Sequence, residues 1–557
     1  MSFTDWDFGA NDRTLARLAR TNRTFCEPAL DALWSELHSL NHLLKILQSS
    51  YEERAIVGRP DKPCMLNENI HQREWLRLDC YAYRVHSLSI GNILTSVHPS
   101  VYPILAQATQ GRVLFPRLTT LEFNKDRVMD YASMYFIAPL LVSTTLQKLE
   151  LALPKPPRSE ITRDNLYDMP SGPDAVDREE LVSKILDPFS VGCRELLVLV
   201  VDTGMQPLPS MRPIAKFQNL QTLDVRCVSV ADVLRYGSEI PTLTSLRVML
   251  VYDPADAMQP QPAAQPQPAA QPQPAAQPQP AAQPQPVAQP QPAAQPQPLP
   301  STCFSKLQSL TVTGRDLEVV KLIGGLSRTT LPYLHITVDF QLPPNGNAFS
   351  AALAAKCATM TALRGISIYY RSPQDHPLSG SLFSNVVPLL SLRNLEDVTI
   401  SFISAALDVT DDDMQMLATA WSKLRALTLS WDVFDREVQL TPTSTSLLGF
   451  ARGCPQLRKL GLSYVDLTDV GEPASWPSAS HSLQQLDVEF GYDDDYAGLI
   501  QQELDPETTA KFLNCVFPTV MLSHSIFDRL KNYADVLGAV WEALQQERKT
   551  VVQEVIG

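Results

Sequence analysis

The sequence predicts an α/β solenoid: a curved sheet of parallel strands with helices on its outer side, preceded by a short helical segment. Two observations carry this. A six-residue apolar pattern, Leu-x-x-Leu-x-Leu with Ile, Val or Phe allowed, recurs at intervals of 23 to 33 residues. Each copy ends in strict alternation, which a strand needs to turn one face inward. The chain between copies is long enough for a helical or irregular return, and a unit of that size cannot bury its apolar face alone.

The elements follow in chain order. Residues 12–20 read as a helix capped by Asp12, with a turn at Thr21-Asn22. Phe25 to Leu37 reads as a second helix with Pro28 in its first turn, and Leu30, Leu33, Trp34 and Leu37 share one face. A third apolar stretch spans Leu40 to Leu47. The repeats then begin: Leu118-Leu121-Phe123, Leu146-Leu149-Leu151, Leu220-Leu223-Val225, Leu243-Leu246-Val248, Leu307-Leu310-Val312, Leu363-Ile366-Ile368, Leu395-Val398-Ile400, Leu424-Leu427-Leu429, Leu457-Leu460-Leu462 and Leu483-Leu486-Val488. Weaker copies sit at Leu196-Leu199 and at Leu334-Ile336, the latter 29 residues before Leu363. Return helices are expected at 231–236, 413–418 and 446–450. From Ser525, Leu530, Tyr533, Leu537, Val540 and Leu544 alternate by four and three, the stripe of a helix that would cap the open end of the solenoid.

One segment breaks the pattern. From Gln259 to Pro298 the chain repeats QPQPAA, and 15 of its 45 prolines lie between Pro260 and Pro300. Uncharged and almost without apolar side chains, this tract cannot offset the entropy of ordering and favours extended polyproline II. It is expected to be a loop inserted into one repeat. The expected organisation is therefore a helical segment over 1–50, repeats over 51–258, the insert over 259–300, further repeats over 301–515, and a helical cap over 516–557.

The repeats from about 115 to 490 resemble the leucine-rich-repeat family. That family places Asn or Cys eight residues after the first leucine. Here that position holds Val228, Arg315, Ile403, Asp432 and Val465, so irregular turns and uneven curvature are expected. Residues 14–37, TLARLARTNRTFCEPALDALWSEL, resemble the second half of an F-box of the kind found in mushroom-type (basidiomycete) fungi. Leu15, Leu18, Phe25, Leu30, Leu33 and Trp34 stand at that family's apolar positions. The family's opening Leu-Pro-x-Glu-Ile-like helix is not matched; MSFTDWDFGAN stands in its place. The resemblance implies that these six residues bind a Skp-type adaptor and, through it, a cullin. The residues by themselves also fit the core of an N-terminal cap.

Composition sets bounds on function. With 60 acidic against 46 basic residues the net charge is -14, which argues against binding nucleic acid or anionic lipid. The nine cysteines are scattered and odd in number, with no CxxC pair, so a reducing, intracellular compartment is expected. The N-terminus lacks an apolar signal core, and no apolar run reaches membrane-spanning length.

No phosphate loop, dinucleotide fingerprint, HExxH or GxSxG motif is present. Cys193 and Cys454 each precede a repeat leucine by three residues, where a small buried side chain fits. Asp411-Asp412-Asp413 suits a helix N-terminus. No catalytic, metal or cofactor role is expected. What remains is the sheet face formed by the fourth and sixth residues after each first leucine, neutral and hydroxyl-rich in the middle and acidic toward the C-terminal end. Asp224, Arg226, Tyr369, Asp487, Glu489 and Tyr492 are its candidate client contacts, the last three for a basic partner segment.

The expected function is that of the substrate-recognition subunit of a Skp–cullin–F-box ubiquitin ligase, monomeric outside the complex and without chemistry of its own. The alternative is an interaction scaffold that does not bind the adaptor.

Overall fold

The computed structural model describes residues 10–53, 64–67, 70–90, 97–98, 100–123, 131–153, 174–204, 207–251, 304–326, 330–339, 346–371, 378–432, 440–473, 476, 481–488, 505–522 and 539–550. A single large sheet organises them. Its strands are all parallel and follow chain order from Glu36–Leu37 to Met521–Leu522, with Leu378–Ser381 alone off the path, pairing with Asp397–Asp408.

The register is that of the repeat. Second-position residues pair rung after rung: Leu88 with Leu121, Leu121 with Leu149, Leu223 with Leu246, Leu334 with Ile366, Leu427 with Leu460. These residues and the first leucines are almost wholly buried, in one continuous core. Each such side chain contributes about 1.5–3 kcal/mol. A one-residue slip would turn all of them to solvent, so the register is strongly specified. At the start of most rungs two successive N–H groups donate to one carbonyl of the rung before. His86 and Ser87 share Ser35 O, Gln221 and Thr222 share Leu197 O, and Gln484 and Gln485 share Arg458 O.

Helices cover the buried face. Val230–Gly237, Asp411–Ala420 and Ser444–Gly453 are the three expected returns, and Tyr131–Leu141, Asp174–Gly192, Asp316–Gly325 and Gly346–Cys357 join them. Asp411–Ala420 begins in a capping box, in which Thr410 and Asp413 bond each other's backbone. The Asn/Cys ladder absent from the sequence is replaced by hydroxyls just before the first repeat position. Thr145 Oγ1 donates to Leu118 O (3.0 Å), Thr242 Oγ1 to Leu220 O (2.8 Å) and Thr519 Oγ1 to Leu483 O (2.8 Å). These bonds satisfy carbonyls that the turn would otherwise bury unpaired.

Several sequence expectations are corrected. The sheet extends well beyond 115–490. Val85-Leu88-Ile90 is a full copy of the pattern, and Trp34-x-x-Leu37 is a shortened one whose Leu37 pairs with Leu88. The 333–339 rung is phased three residues earlier than expected, since Leu334 aligns with Ile366, not Leu363. Leu331 is thus its first position, 32 residues before Leu363. Asp12 lies inside the helix Ala10–Thr21 instead of capping it. The second helix is Arg23–Trp34, capped by Asn22, whose side chain accepts from Thr24 N at 2.9 Å. This better cap starts the helix five residues ahead of Pro28, which therefore sits mid-helix.

The Gln259–Pro298 tract lies outside the described residues. The rungs flanking it, Ser245–Leu250 and Ser309–Arg315, are hydrogen-bonded neighbours in register, so the insert falls within one connection. Of the expected C-terminal stripe, Leu530, Tyr533 and Leu537 also lie outside the described residues. Val540 and Leu544, in the helix 539–550, are buried in the core, and Arg548 donates to Val520 O at 2.7 Å.

Asp411 ties two repeats together. Its carboxylate accepts from Thr443 N (2.8 Å), Thr443 Oγ1 (2.7 Å) and Ser446 Oγ. Burial alone would raise its pKa, but the Ser446 and Thr443 hydrogen bonds outweigh it and hold the carboxyl below its ordinary value. Asp411→Ala is expected to cost about 1–3 kcal/mol in urea unfolding, by stranding these donors. Because the folded pKa is the lower one, the ionised group's contribution is complete above its unfolded value of 3.8 and fades as pH falls through the folded value. Unfolding of Asp411→Ala should accordingly show a weaker dependence on pH below about 4 than the parent chain.

Candidate interaction surface

Among the described residues the sheet face opposite the helices is open, and alternation along each strand decides what it displays. In Thr222–Val228 the odd-numbered residues Leu223 and Val225 are buried while Thr222, Asp224 and Arg226 are half-buried or exposed. The fourth and sixth positions face outward as expected in most rungs; Ala152 is buried.

The middle of this face is hydroxyl-rich. Thr311, Thr313, Thr337, Ser367, Thr399, Ser401, Thr428 and Ser430 occupy it, and Ser430 Oγ donates to Ser401 Oγ at 2.7 Å. Aromatic rings interrupt the hydroxyls. His335 packs on Tyr369 with ring centroids 5.0 Å apart. Tyr333, 51 % exposed, lies across Gly365. A Cβ at Gly365 would stand 2.5 Å from the Tyr333 ring, so a glycine there lets the ring lie along the sheet. Burial and the charge of Arg247 both push the His335 pKa down, which keeps the ring neutral at pH 7.

Charges on this face are organised in pairs. Arg226 meets Asp202 at 2.8 Å, Arg247 meets Asp224 at 3.5 Å, and Arg371 meets Asp339 at 3.4 Å. In the first two pairs the carboxylate lies low and the guanidinium stands up: Asp202 and Asp224 are 16 % and 13 % exposed, Arg226 and Arg247 41 % and 66 %. Burial pushes the Asp224 carboxyl up, against the pull of Arg247 and Arg226. Toward the C-terminal end Asp487 is held by Lys459 at 3.2 Å and by Gln485 Nε2 at 2.9 Å.

Of the predicted client contacts, Asp224, Arg226, Tyr369 and Asp487 therefore share the open face. Asp487 is largely engaged by its own neighbours, and Glu489 and Tyr492 lie outside the described residues. Sequence reasoning missed Tyr333, His335, Arg247 and Arg371 as site residues. A signal existed: all four occupy outward-facing places, and Arg247 was legible as such.

The six predicted adaptor contacts divide. Trp34, 2 % exposed, and Leu33 are core residues. The Trp34 ring packs on Tyr81 with centroids 4.6 Å apart. Trp34 holds the first repeat position of its rung, three residues before Leu37, where leucines are buried elsewhere. Neither side chain is available to a partner while the rung is intact. Leu15 and Leu30 are half-buried between the helices and the core. Leu18 and Phe25, 39 % and 50 % exposed, face solvent. The second helix is fastened from below by Arg84, ion-paired to both Glu27 and Asp31.

Cys193 and Cys454 are buried, as expected of core positions, and burial pushes both thiols up to about 12. Cys193 lines a cleft on the helical side with Ser190, Lys216 and Asn219. A thiol protonated at neutral pH is a poor nucleophile. Among the described residues no three His, Cys, Asp or Glu side chains gather as metal ligands, and no helix is long and apolar enough to cross a membrane.

This architecture, one parallel strand and one return per apolar repeat, defines a leucine-rich-repeat solenoid. The sequence matches no protein-family model and no curated protein. Among solved structures it is similar to a leucine-rich-repeat protein of Leptospira interrogans, LIC12759, at 12% identity and a TM-score of 0.30, over 80% of this chain and 91% of that one.

Proposed function

We propose that the chain is an interaction solenoid that holds a protein partner on its open sheet face. The observation that carries this reading is the face itself: among the described residues, sixteen strands in one sheet present a surface whose rings and guanidinium groups stand clear of the core. Stacked repeats offer such a surface without any further element. The sequence resemblance extends the reading to a substrate-recognition subunit of a Skp–cullin–F-box ligase. In that role the N-terminal hairpin would meet the adaptor and the open face the client.

The exposure of Leu18 and Phe25 on successive helices supports the adaptor role, since large apolar side chains held out to solvent suit a protein interface. The test is a pull-down of a Skp-type adaptor by the intact chain and by Leu18→Asp/Phe25→Asp. Retention by the intact chain and at least tenfold weaker retention by the double variant are expected, with unchanged thermal unfolding. No retention by the intact chain would leave the scaffold reading, with the open face as the working surface.

A further inference from the structure

The open-face charges are not evenly distributed. Over the rungs from Val198–Asp202 to Gly365–Arg371, four arginines, Arg226, Arg247, Arg315 and Arg371, face three carboxylates, Asp202, Asp224 and Asp339. Among the described residues of these rungs, four basic side chains stand against three acidic ones, on a chain whose net charge is -14. Height adds to the count, because Asp202 and Asp224 lie low while their arginines reach outward. Arg315, Asp339 and Arg371 are direct cross-strand neighbours, so two guanidinium groups flank one carboxylate. Carboxylates flank the stretch, Glu122 on an earlier rung and Asp397 on the next one, while Glu150 is offset by Lys148 at 2.7 Å and Asp487 by Lys459 at 3.2 Å.

We propose that the rungs 245–250 to 365–371 receive an extended acidic segment of a protein partner. Its carboxylates would lie on Arg247 and Arg371 and its body over Tyr333, Tyr369 and the threonines between them. The inference rests on the interaction reading above and names the chemistry of its partner. Guanidinium groups pre-set by carboxylates on the same sheet lose little freedom on binding a further carboxylate. The carboxylates Glu122 and Asp397 just outside the stretch disfavour displacement of an anionic segment along the sheet. Arg247 and Arg371 are three strands and four residues apart, a diagonal of about 20 Å, which about six extended residues span.

The test uses the full chain and three fluorescein-labelled dodecapeptides, alternating Glu-Ser, Gln-Ser and Lys-Ser, read by anisotropy at low and physiological salt. The Glu-Ser peptide should bind tightest and weaken with salt. Arg247→Glu/Arg371→Glu should weaken it about tenfold or more. Arg235→Glu/Arg452→Glu, which changes net charge equally on the helical side, should leave it unaltered. Arg247→Gln/Arg371→Gln, with thermal unfolding checked, guards against misfolding and should weaken binding less than reversal does. The proposal is overturned if Gln-Ser binds as tightly as Glu-Ser, or if the helical-side pair weakens binding as much as the open-face pair. Tight Lys-Ser binding lost on Tyr369→Ala would also overturn it, while leaving the open face as an interaction surface.

Discussion

Trp34→Ala is expected to destabilise the N-terminal end of the solenoid by about 3–5 kcal/mol, as removal of a large buried aromatic side chain does. Trp34 is the first-position residue of the Glu36–Leu37 rung, is 2 % exposed, and packs on Tyr81 of the helix Gln72–Ala82. Its loss should open the hairpin and the first rung while later rungs hold, because each repeat touches only its neighbours. Thermal unfolding should show an early transition, and limited proteolysis should cut first near residues 23–40. If adaptor capture is also lost in this variant, loss of the hairpin's fold accounts for it. Phe25→Asp separates the cases, since an exposed side chain can be changed with little effect on unfolding.

Tyr370→Ala should have an effect of similar size at the centre. Tyr370 is fully buried, stacked on Phe402 at 4.5 Å and 6° and edge-on to Phe349 at 5.9 Å. Its hydroxyl bonds Ser350 Oγ at 2.6 Å, and burial pushes the phenol's pKa well up despite that bond. Removing the ring leaves a cavity between three repeats, at about 3–5 kcal/mol. Tyr370→Phe keeps the ring and strands only Ser350, for about 1–2 kcal/mol. Urea midpoints of the two variants should therefore differ clearly. Equal midpoints would mean that the hydroxyl pair, not the ring stack, dominates.

Most of the fold was legible because the solenoid writes its core into a local pattern. Leu220-Leu223-Val225 says strand, inward face and register at once. What stayed illegible had two physical causes. At the ends of the sheet rungs shorten, so Trp34-x-x-Leu37 carries only two of three core positions and reads equally well as a helix face. Val85-Leu88-Ile90 is a complete copy that lies ahead of the expected start of the repeats near 115. The turns also use chemistry that the family pattern does not contain. Thr145, Thr242 and Thr519 do with hydroxyls, ahead of the strand, what an asparagine ladder would do after it.

The open face was legible in outline, since alternation alone places Asp224, Arg226 and Tyr369 outward. Its working detail depends on partners on neighbouring rungs. Asp487 reads as a free acid in sequence, yet Lys459 holds it at 3.2 Å. The height difference between Asp224 and Arg247 exists only once strands 23 residues apart lie side by side.

The helix Arg23–Trp34 runs directly into the first rung of one continuous sheet. Hydrogen exchange of the intact chain, followed by mass spectrometry, tests this continuity most directly. Amides at the rung starts His86, Ser87, Thr119 and Thr120 should be protected comparably to Gln221, Thr222, Thr244 and Ser245 in the interior, since all donate to a neighbouring rung. Free exchange through 23–90 beside strong protection from 118 to 488 would contradict it, and would return Leu33 and Trp34 to the surface of a separate module.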